Sequence, residues 1–193
     1  IVPIGAAPLV VYFNRAMFAE TGRPEPGPGW GWDQLRETAR QLTGGNRYGL
    51  QFRPTFAHLS ALAASLGGHL YREDGRAAVG TEPFEGTLRL VHDLVHSERV
   101  TPLVAKSDPV NLFADGRCAL AIDGYGMYQT YRDTLGDVLG VAAMPRTGNG
   151  WPALTGVALA ILGEPVDPQA TNDLTRTMLS ASVQQALVRV GGA

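Results

Sequence analysis

The chain is poor in the residues that carry most recognisable chemistry. Its single cysteine, Cys118, can form neither an internal disulfide nor a structural zinc site. It sits in the apolar run Cys118-Ala119-Leu120-Ala121-Ile122 and reads as a small buried hydrophobe. Lys106 is the only lysine, and arginines supply the other positive charges, a pattern of compositional bias more than of function. The formal net charge of −2 leaves no basic stripe for nucleic acid or for an anionic membrane. No apolar run approaches the roughly 18 residues that suggest a spanning helix. No signal peptide is visible, and the chain starts at Ile1 rather than methionine, as expected of a mature, trimmed or partial product. There is no Gly-x-Ser-x-Gly elbow, no phosphate loop and no cysteine with the surroundings of a nucleophile. Gly27-Pro28-Gly29-Trp30-Gly31 is glycine-rich but follows a proline-rich loop instead of a strand, which argues against phosphate cradling.

What is present is the material of a folded α/β chain. Over 193 residues, 45% are hydrophobic and 18% charged, enough for one substantial core. Residues 4–13 are rich in β-branched and aromatic side chains and read as extended. Asn14 is placed to cap a short helix over Arg15–Glu20, which Gly22 ends. Three prolines and two glycines between Arg23 and Gly29 form a rigid loop. Leu35, Ala39 and Leu42 then recur at helical spacing up to Gly44-Gly45. Tyr48–Phe52 is a short strand, and Leu59, Leu62, Ala63 and Leu66 form a helical stripe closed by Gly67-Gly68. His69-Leu70-Tyr71 reads as extended before a turn at Asp74-Gly75. Pro83 opens a long helix with Leu88, Val91 and Val95 expected on its inner face. Asp108-Pro109 reads as a helix start and Gly116 as the cap beyond its end. Cys118–Ile122, Val138–Met144 and Leu154–Leu162 are nearly continuous apolar runs, as in strands buried on both faces. Asp167-Pro168 starts a helix with Ala170, Leu174 and Met178 inward, and Val183, Ala186, Leu187 and Val190 form a last stripe. Strands alternating with helices give α/β layering.

The order of particular segments carries a resemblance. Tyr12-Phe13-Asn14-Arg15 precedes Phe18-Ala19-Glu20-Thr21-Gly22, then Trp32-Asp33-Gln34-Leu35 opens a helix. Downstream come Phe113-Ala114-Asp115-Gly116-Arg117-Cys118-Ala119-Leu120, Gly124-Tyr125, Met144-Pro145 and a glycine-rich turn ending in Thr155-Gly156. Together these resemble the middle of an extracytoplasmic solute-binding protein of an ABC importer, in the sugar-binding family that includes maltose-binding protein. Gly31, Arg117, Cys118 and Tyr125 depart from the family's pattern. The resemblance implies a periplasmic-binding-protein-like two-lobed fold, here one fairly complete lobe plus part of the other. Residues 1–13 would be an interlobe crossing strand, 14–144 the second lobe, 145–156 the interlobe return and 157–193 a partial first lobe. It implies a monomer outside the cytoplasm, periplasmic or lipoprotein-anchored. Such a protein binds a carbohydrate without cofactor, contacts no nucleic acid and delivers the ligand to an ABC permease by lobe closure, with no catalysis.

Sugar rings present apolar C–H faces and hydroxyl edges, so a site for them needs aromatic platforms beside planar hydrogen-bonding groups. Tyr125 follows a strand end at Asp123-Gly124, where α/β sheets expose binding loops. The alternative for Tyr125 is a half-buried aromatic at a helix start. Trp151 lies in a flexible turn near the return segment, as a ligand platform or a cover for the hinge. Phe56 and His58 begin a helix, in a region where family members supply a cleft aromatic, or else pack that helix start. Asp123 would accept hydroxyl hydrogen bonds or cap the next helix. Gly124 lets a ligand approach the backbone, and Thr155-Gly156 matches a place where family backbones approach it.

A hydrolase is the competing class. His92-Asp93-Leu94-Val95-His96 sets two histidines four apart, the zinc-binding spacing of His-Glu-x-x-His proteases, with aspartate in place of glutamate. The plainer reading is a solvated helix face. A carboxylate pair such as Asp123 and Glu73 would be needed for glycoside hydrolysis. A peptide or polyamine on the same architecture is the third option; the near-neutral charge gives polyamine no support.

Overall fold

A computed structural model describes residues 1–102, 111–145, 147, 154–161 and 163–189. Its organising element is a single strand of 13 residues, β1 (Val2–Asn14). The strand runs into α1 (Arg15–Glu20), where the Asn14 side chain accepts hydrogen bonds from the amides of Ala16 and Met17. Then come α2 (Trp32–Leu42), β2 (Tyr48–Phe52), α3 (Phe56–Ser65) and α4 (Glu82–His92), which widens into a π turn over Asp93–Ser97. β3 (Cys118–Gly124) is followed by a 3-10 turn at Tyr125–Met127, then α5 (Tyr128–Leu135) and β4 (Leu139–Ala143). β5 (Leu154–Leu159), α6 (Pro168–Met178) and α7 (Ala181–Arg189) complete the described chain.

β1 belongs to two sheets in succession. From Leu9 to Asn14 it lies between β3 and β4, antiparallel to both, with Tyr12 opposite Ala121 and Val141. From Val2 to Pro8 it pairs with β5 instead. The changeover falls at Pro8, and the register slips between Pro3 and Gly5. Proline donates no ladder hydrogen bond, so it suits these margins and not the central stretch. β2 pairs parallel to β3, giving the order β2-β3-β1-β4. A parallel neighbour requires a crossover, which α3 and α4 occupy.

The central sheet is covered on both faces. Leu9, Val11 and Phe13 face a core built with Phe18, Leu35, Leu50, Leu62 and Leu94. Tyr12 faces Phe113, Cys118, Ala121 and Tyr131 on the other side. There the rings of Tyr12 and Tyr131 meet edge to face at 4.8 Å, and Phe113 meets Tyr131 at 4.9 Å. Such pairs add about 0.5–1.5 kcal/mol each beyond their buried area. Burial pushes the Cys118 thiol up to about 12, which makes it inert as a nucleophile.

Several sequence expectations change in the fold. On α4 the buried face is Phe84, Thr87 and Leu90, continued by Leu94, while Leu88 is 44% exposed. Val91 still packs against the core, so the buried stripe is offset by one position from the expected one at Leu88, and the π turn re-aims the side chains only from Asp93 onward. His69–Tyr71 forms no strand, only an isolated bridge from Tyr71 to Ala77. β4 is an edge strand, so its burial stops after Gly140 and Val141 lies exposed. In β5, Gly156 and Ala158 are exposed. On α6, Ala170 and Leu174 are exposed instead of inward. Gly116, at φ +66°, ends a turn over 112–116, and Asp108-Pro109 lies outside the described residues.

Among the described glycines, Gly49 and Gly140 mark the tightest approaches. A Cβ on Gly49 would fall on the Ala39 carbonyl of α2, and one on Gly140 would fall inside the Phe13 ring across the β1–β4 pair. Gly49→Ala is expected to cost about 1–3 kcal/mol or more, because the obstructing atom is backbone. Gly27→Ala meets open space and is expected to change urea stability little. Equal urea midpoints for the two variants would refute this packing.

Candidate functional site

The predicted residues Phe56, His58, Asp123, Gly124 and Tyr125 converge where the carboxyl end of β3 meets the amino end of α3. Thr55 caps α3, its hydroxyl oxygen accepting from the His58 amide at 3.3 Å. The same oxygen lies 2.6 Å from His58 Nδ1. With the Thr55 hydroxyl donating to Nδ1, the ring hydrogen resides on Nε2. That nitrogen faces Asp123 Oδ1 at 3.4 Å, both side chains being largely buried. The imidazole also stands edge-on to Phe52.

Asp123 is a hub. Oδ1 accepts from the Gly124 amide at 2.9 Å, and Oδ2 accepts from the Tyr131 hydroxyl at 3.0 Å. Burial pushes the carboxyl up, but the nearby His58 ring and hydrogen bonds from the Gly124 amide and Tyr131 outweigh it and hold the group below its ordinary value. The neighbouring carboxylate adds to burial in raising the hydroxyls of Tyr12 and Tyr131, which stay protonated donors. Tyr12, fully buried on β1, donates to the carbonyls of both Gly124 and Tyr125 at 3.1 Å. Behind Tyr131, the buried Gln51 accepts from the Phe113 amide at 3.0 Å and donates to Asn111 at 3.1 Å.

Above this network two side chains face solvent. Tyr125 is 38% exposed and stacks on Tyr128, the rings 5.8 Å apart and 11° from parallel. Phe56 is 67% exposed on the first turn of α3. Thr155 and Gly156 lie on β5 opposite Ala7 and Ala6, on the outer stretch of β1. Trp151 lies outside the described residues. Sequence reading missed Tyr12, Tyr131 and Gln51, whose polar ends are invisible inside apolar strand and helix patterns. It also missed Tyr128, although the spacing of three from Tyr125 on a helical turn was a usable signal.

The enzyme readings gain no constellation. His92 and His96 are close, ring centroids 4.9 Å apart, but exposed. Among the described residues no group of three or more His, Cys, Asp or Glu could hold a metal ion. The Asp123 oxygens are engaged by protein donors, and Glu73 lies exposed in a separate turn. A groove of about 580 Å³ between the proline-glycine loop and α2, lined by Pro24, Pro26, Trp30, Asp33 and Glu37, shares no residue with the predicted site.

The family model described as bacterial extracellular solute-binding protein matches residues 1–193. The chain belongs to this family. A solute-binding protein of Thermotoga lettingae, solved with α-D-tagatose, superposes with a TM-score of 0.78 at 22% identity, over 100% of this chain and 53% of that one. An ABC substrate-binding protein of Listeria monocytogenes, solved with cycloalternan, gives 0.78 at 16% identity, over 99% and 51%. An uncharacterized lipoprotein from the oleD 5′ region of Streptomyces antibioticus is 33% identical over 97 residues, 47% of this chain and 21% of its own length. This solute-binding chain thus spans about half the length of the solved structures it matches and aligns with about a fifth of the Streptomyces lipoprotein. Its α/β fold is that of the two-lobed binding proteins, in part. Among its described residues no helix is long and apolar enough to cross a membrane.

The Asp123 network sets an acid dependence. A carboxyl held below its unfolded value of about 3.9 contributes stability that is complete above that pH and lost as pH falls through the folded value. Asp123→Asn is therefore expected to destabilise this solute-binding chain near pH 6 and progressively less below about pH 3.9. Urea unfolding from pH 2 to 7 measures the difference. A gap that stays constant with pH would contradict the assignment.

Proposed function

We propose that this chain is part of a solute-binding protein that captures a carbohydrate outside the cytoplasm and passes it to an ABC-type importer. Residues 14–144 form one lobe, 1–13 and 145–156 cross between lobes, and 157–193 contribute to the other. The change of sheet partners along β1 supports that division. So does the Thr147 amide, which donates to the Ser65 carbonyl at the end of α3 and ties the return segment to the lobe. The two solved relatives that hold a sugar support the ligand class.

The observation that carries the reading is the exposed Tyr125 ring, stacked on the half-buried Tyr128 and set on a pinned backbone at the carboxyl end of a buried strand. Aromatic faces meet the C–H face of a sugar, while polar groups at the rim select hydroxyl stereochemistry. Trp151, Thr155 and Gly156 are the further ligand contacts in this reading. Closure of the lobes brings the opposing contacts, a hinge motion through the crossings. The chain acts by binding and release, without turnover.

A thermal-shift screen of the full-length natural polypeptide against mono-, di- and oligosaccharides tests this. A ligand that binds only the native state raises Tm by mass action, equivalent to about 2.7 kcal/mol at a hundred times its Kd. One sugar class is expected to shift Tm, and Tyr125→Ala is expected to abolish the shift. A shift that survives in Tyr125→Ala moves the site elsewhere, and a flat screen removes carbohydrate as the ligand class.

A further inference from the structure

We propose that Asp123 does not contact the ligand, and that Tyr12, His58 and Tyr131 are positioning residues which, through Asp123 and the Gly124–Tyr125 backbone, fix the Tyr125 ring in its binding orientation. The ligand part of this proposal rests on the function proposed above; the positioning part rests on geometry alone. Three backbone groups of the short segment have side-chain partners, one on the same strand and two reached from β1. The Gly124 amide is held by Asp123, and the Gly124 and Tyr125 carbonyls are held by Tyr12 of β1. Asp123 accepts in turn from Tyr131 of α5, and Nε2 of His58 on α3, a ring whose orientation Thr55 sets, stands 3.4 Å from its Oδ1 as a polar contact outside hydrogen-bond geometry.

Both carboxylate oxygens are therefore engaged by protein donors, and the Asp123 side chain is only 17% exposed. A sugar hydroxyl would have to reach a remaining lone pair of a largely buried carboxylate, beside the protein donors already on it. The alternative is simpler: the network carries no ligand contact, and the exposed ring it supports does. A rim aromatic on a flexible glycine-flanked turn would lose orientational freedom on binding, and that ordering costs affinity. Pinning the turn beforehand removes the cost. The same contacts tie the first turn of α3, which carries both Phe56 and His58, to the segment that carries Tyr125.

The test uses the full-length polypeptide carrying ring-¹³C tyrosine, with the Tyr125 signal assigned through Tyr125→Phe. Tyr12→Phe and His58→Leu remove single links while keeping the packed volume, and His58→Gln returns an N–H near the position of Nε2. Tyr125 is expected to give one sharp set of ring signals in the parent. In Tyr12→Phe and His58→Leu these signals broaden or shift, and in His58→Gln they largely recover. Maltotriose and D-tagatose serve as probe ligands. Whichever binds is expected to weaken about tenfold in the two disruptive variants, the equivalent of about 1.4 kcal/mol, with recovery in His58→Gln. Unchanged Tyr125 signals in both disruptive variants overturn the proposal, whether or not affinity falls. A fall in affinity with unchanged signals would mean that these residues touch the ligand directly. If the parent binds neither sugar but its Tyr125 signals respond as expected, positioning stands and the carbohydrate reading is what fails.

Discussion

The structure depends on the hydrogen-bond ladders of one strand. From Leu9 to Asn14, β1 is paired on both edges and packed on both faces, by one core of aliphatic and aromatic side chains and by another around Tyr131. An isolated strand offers its backbone groups to water. Here nearly all of them are spent inside the sheet, and removing the strand would open both cores together. The same strand continues past Pro8 into pairing with β5. One covalent element therefore spans two sheets, and movement between them must be absorbed near the point where partners change.

The candidate site lies on the side of that changeover where β1 is paired on both edges. β3 lies directly against β1, so Tyr12, one of the most buried residues of the chain, reaches across to the carbonyls where β3 ends. α3 and α5 approach the same point from either face and deliver His58 and Tyr131 to Asp123. Buried polar groups of this kind are costly if unpaired and specify one arrangement when paired. Tyr125 and Phe56 stand above that arrangement as exposed aromatic surface, which a folded chain retains at a cost in solvation unless something binds there.

Much of the fold was legible in the sequence because its signals are local. Asn14 as a cap, the helical spacing of Leu35 and Ala39, and the unbroken apolar run of Cys118–Ile122 each depend only on near neighbours. The convergence of Phe56, His58, Asp123, Gly124 and Tyr125 was legible only as a set of candidates, without the contacts joining them. The errors have a common origin. Leu88 and Leu174 look inward from periodicity, yet a helix rotates to match the neighbours it meets. α4 turns Phe84, Thr87 and Leu90 to the core instead, and the π turn re-aims the side chains from Asp93 onward.

The sequence by itself determined the alternation of strands and helices, their caps and breaks, and the membership of a binding-protein family. These rest on backbone preferences and on short-range apolar spacing, which are written residue by residue. Only the tertiary structure decided that Tyr12, Gln51 and Tyr131 hold polar roles inside an apolar layer, and that Asp123 is engaged by its own protein. Most of those roles join residues far apart in the chain, Gln51 to Phe113 and Tyr12 to Tyr125, the latter more than a hundred positions apart. A hydroxyl in a hydrophobic pattern gains its meaning from a partner that only the register of β1 against β3 brings within reach.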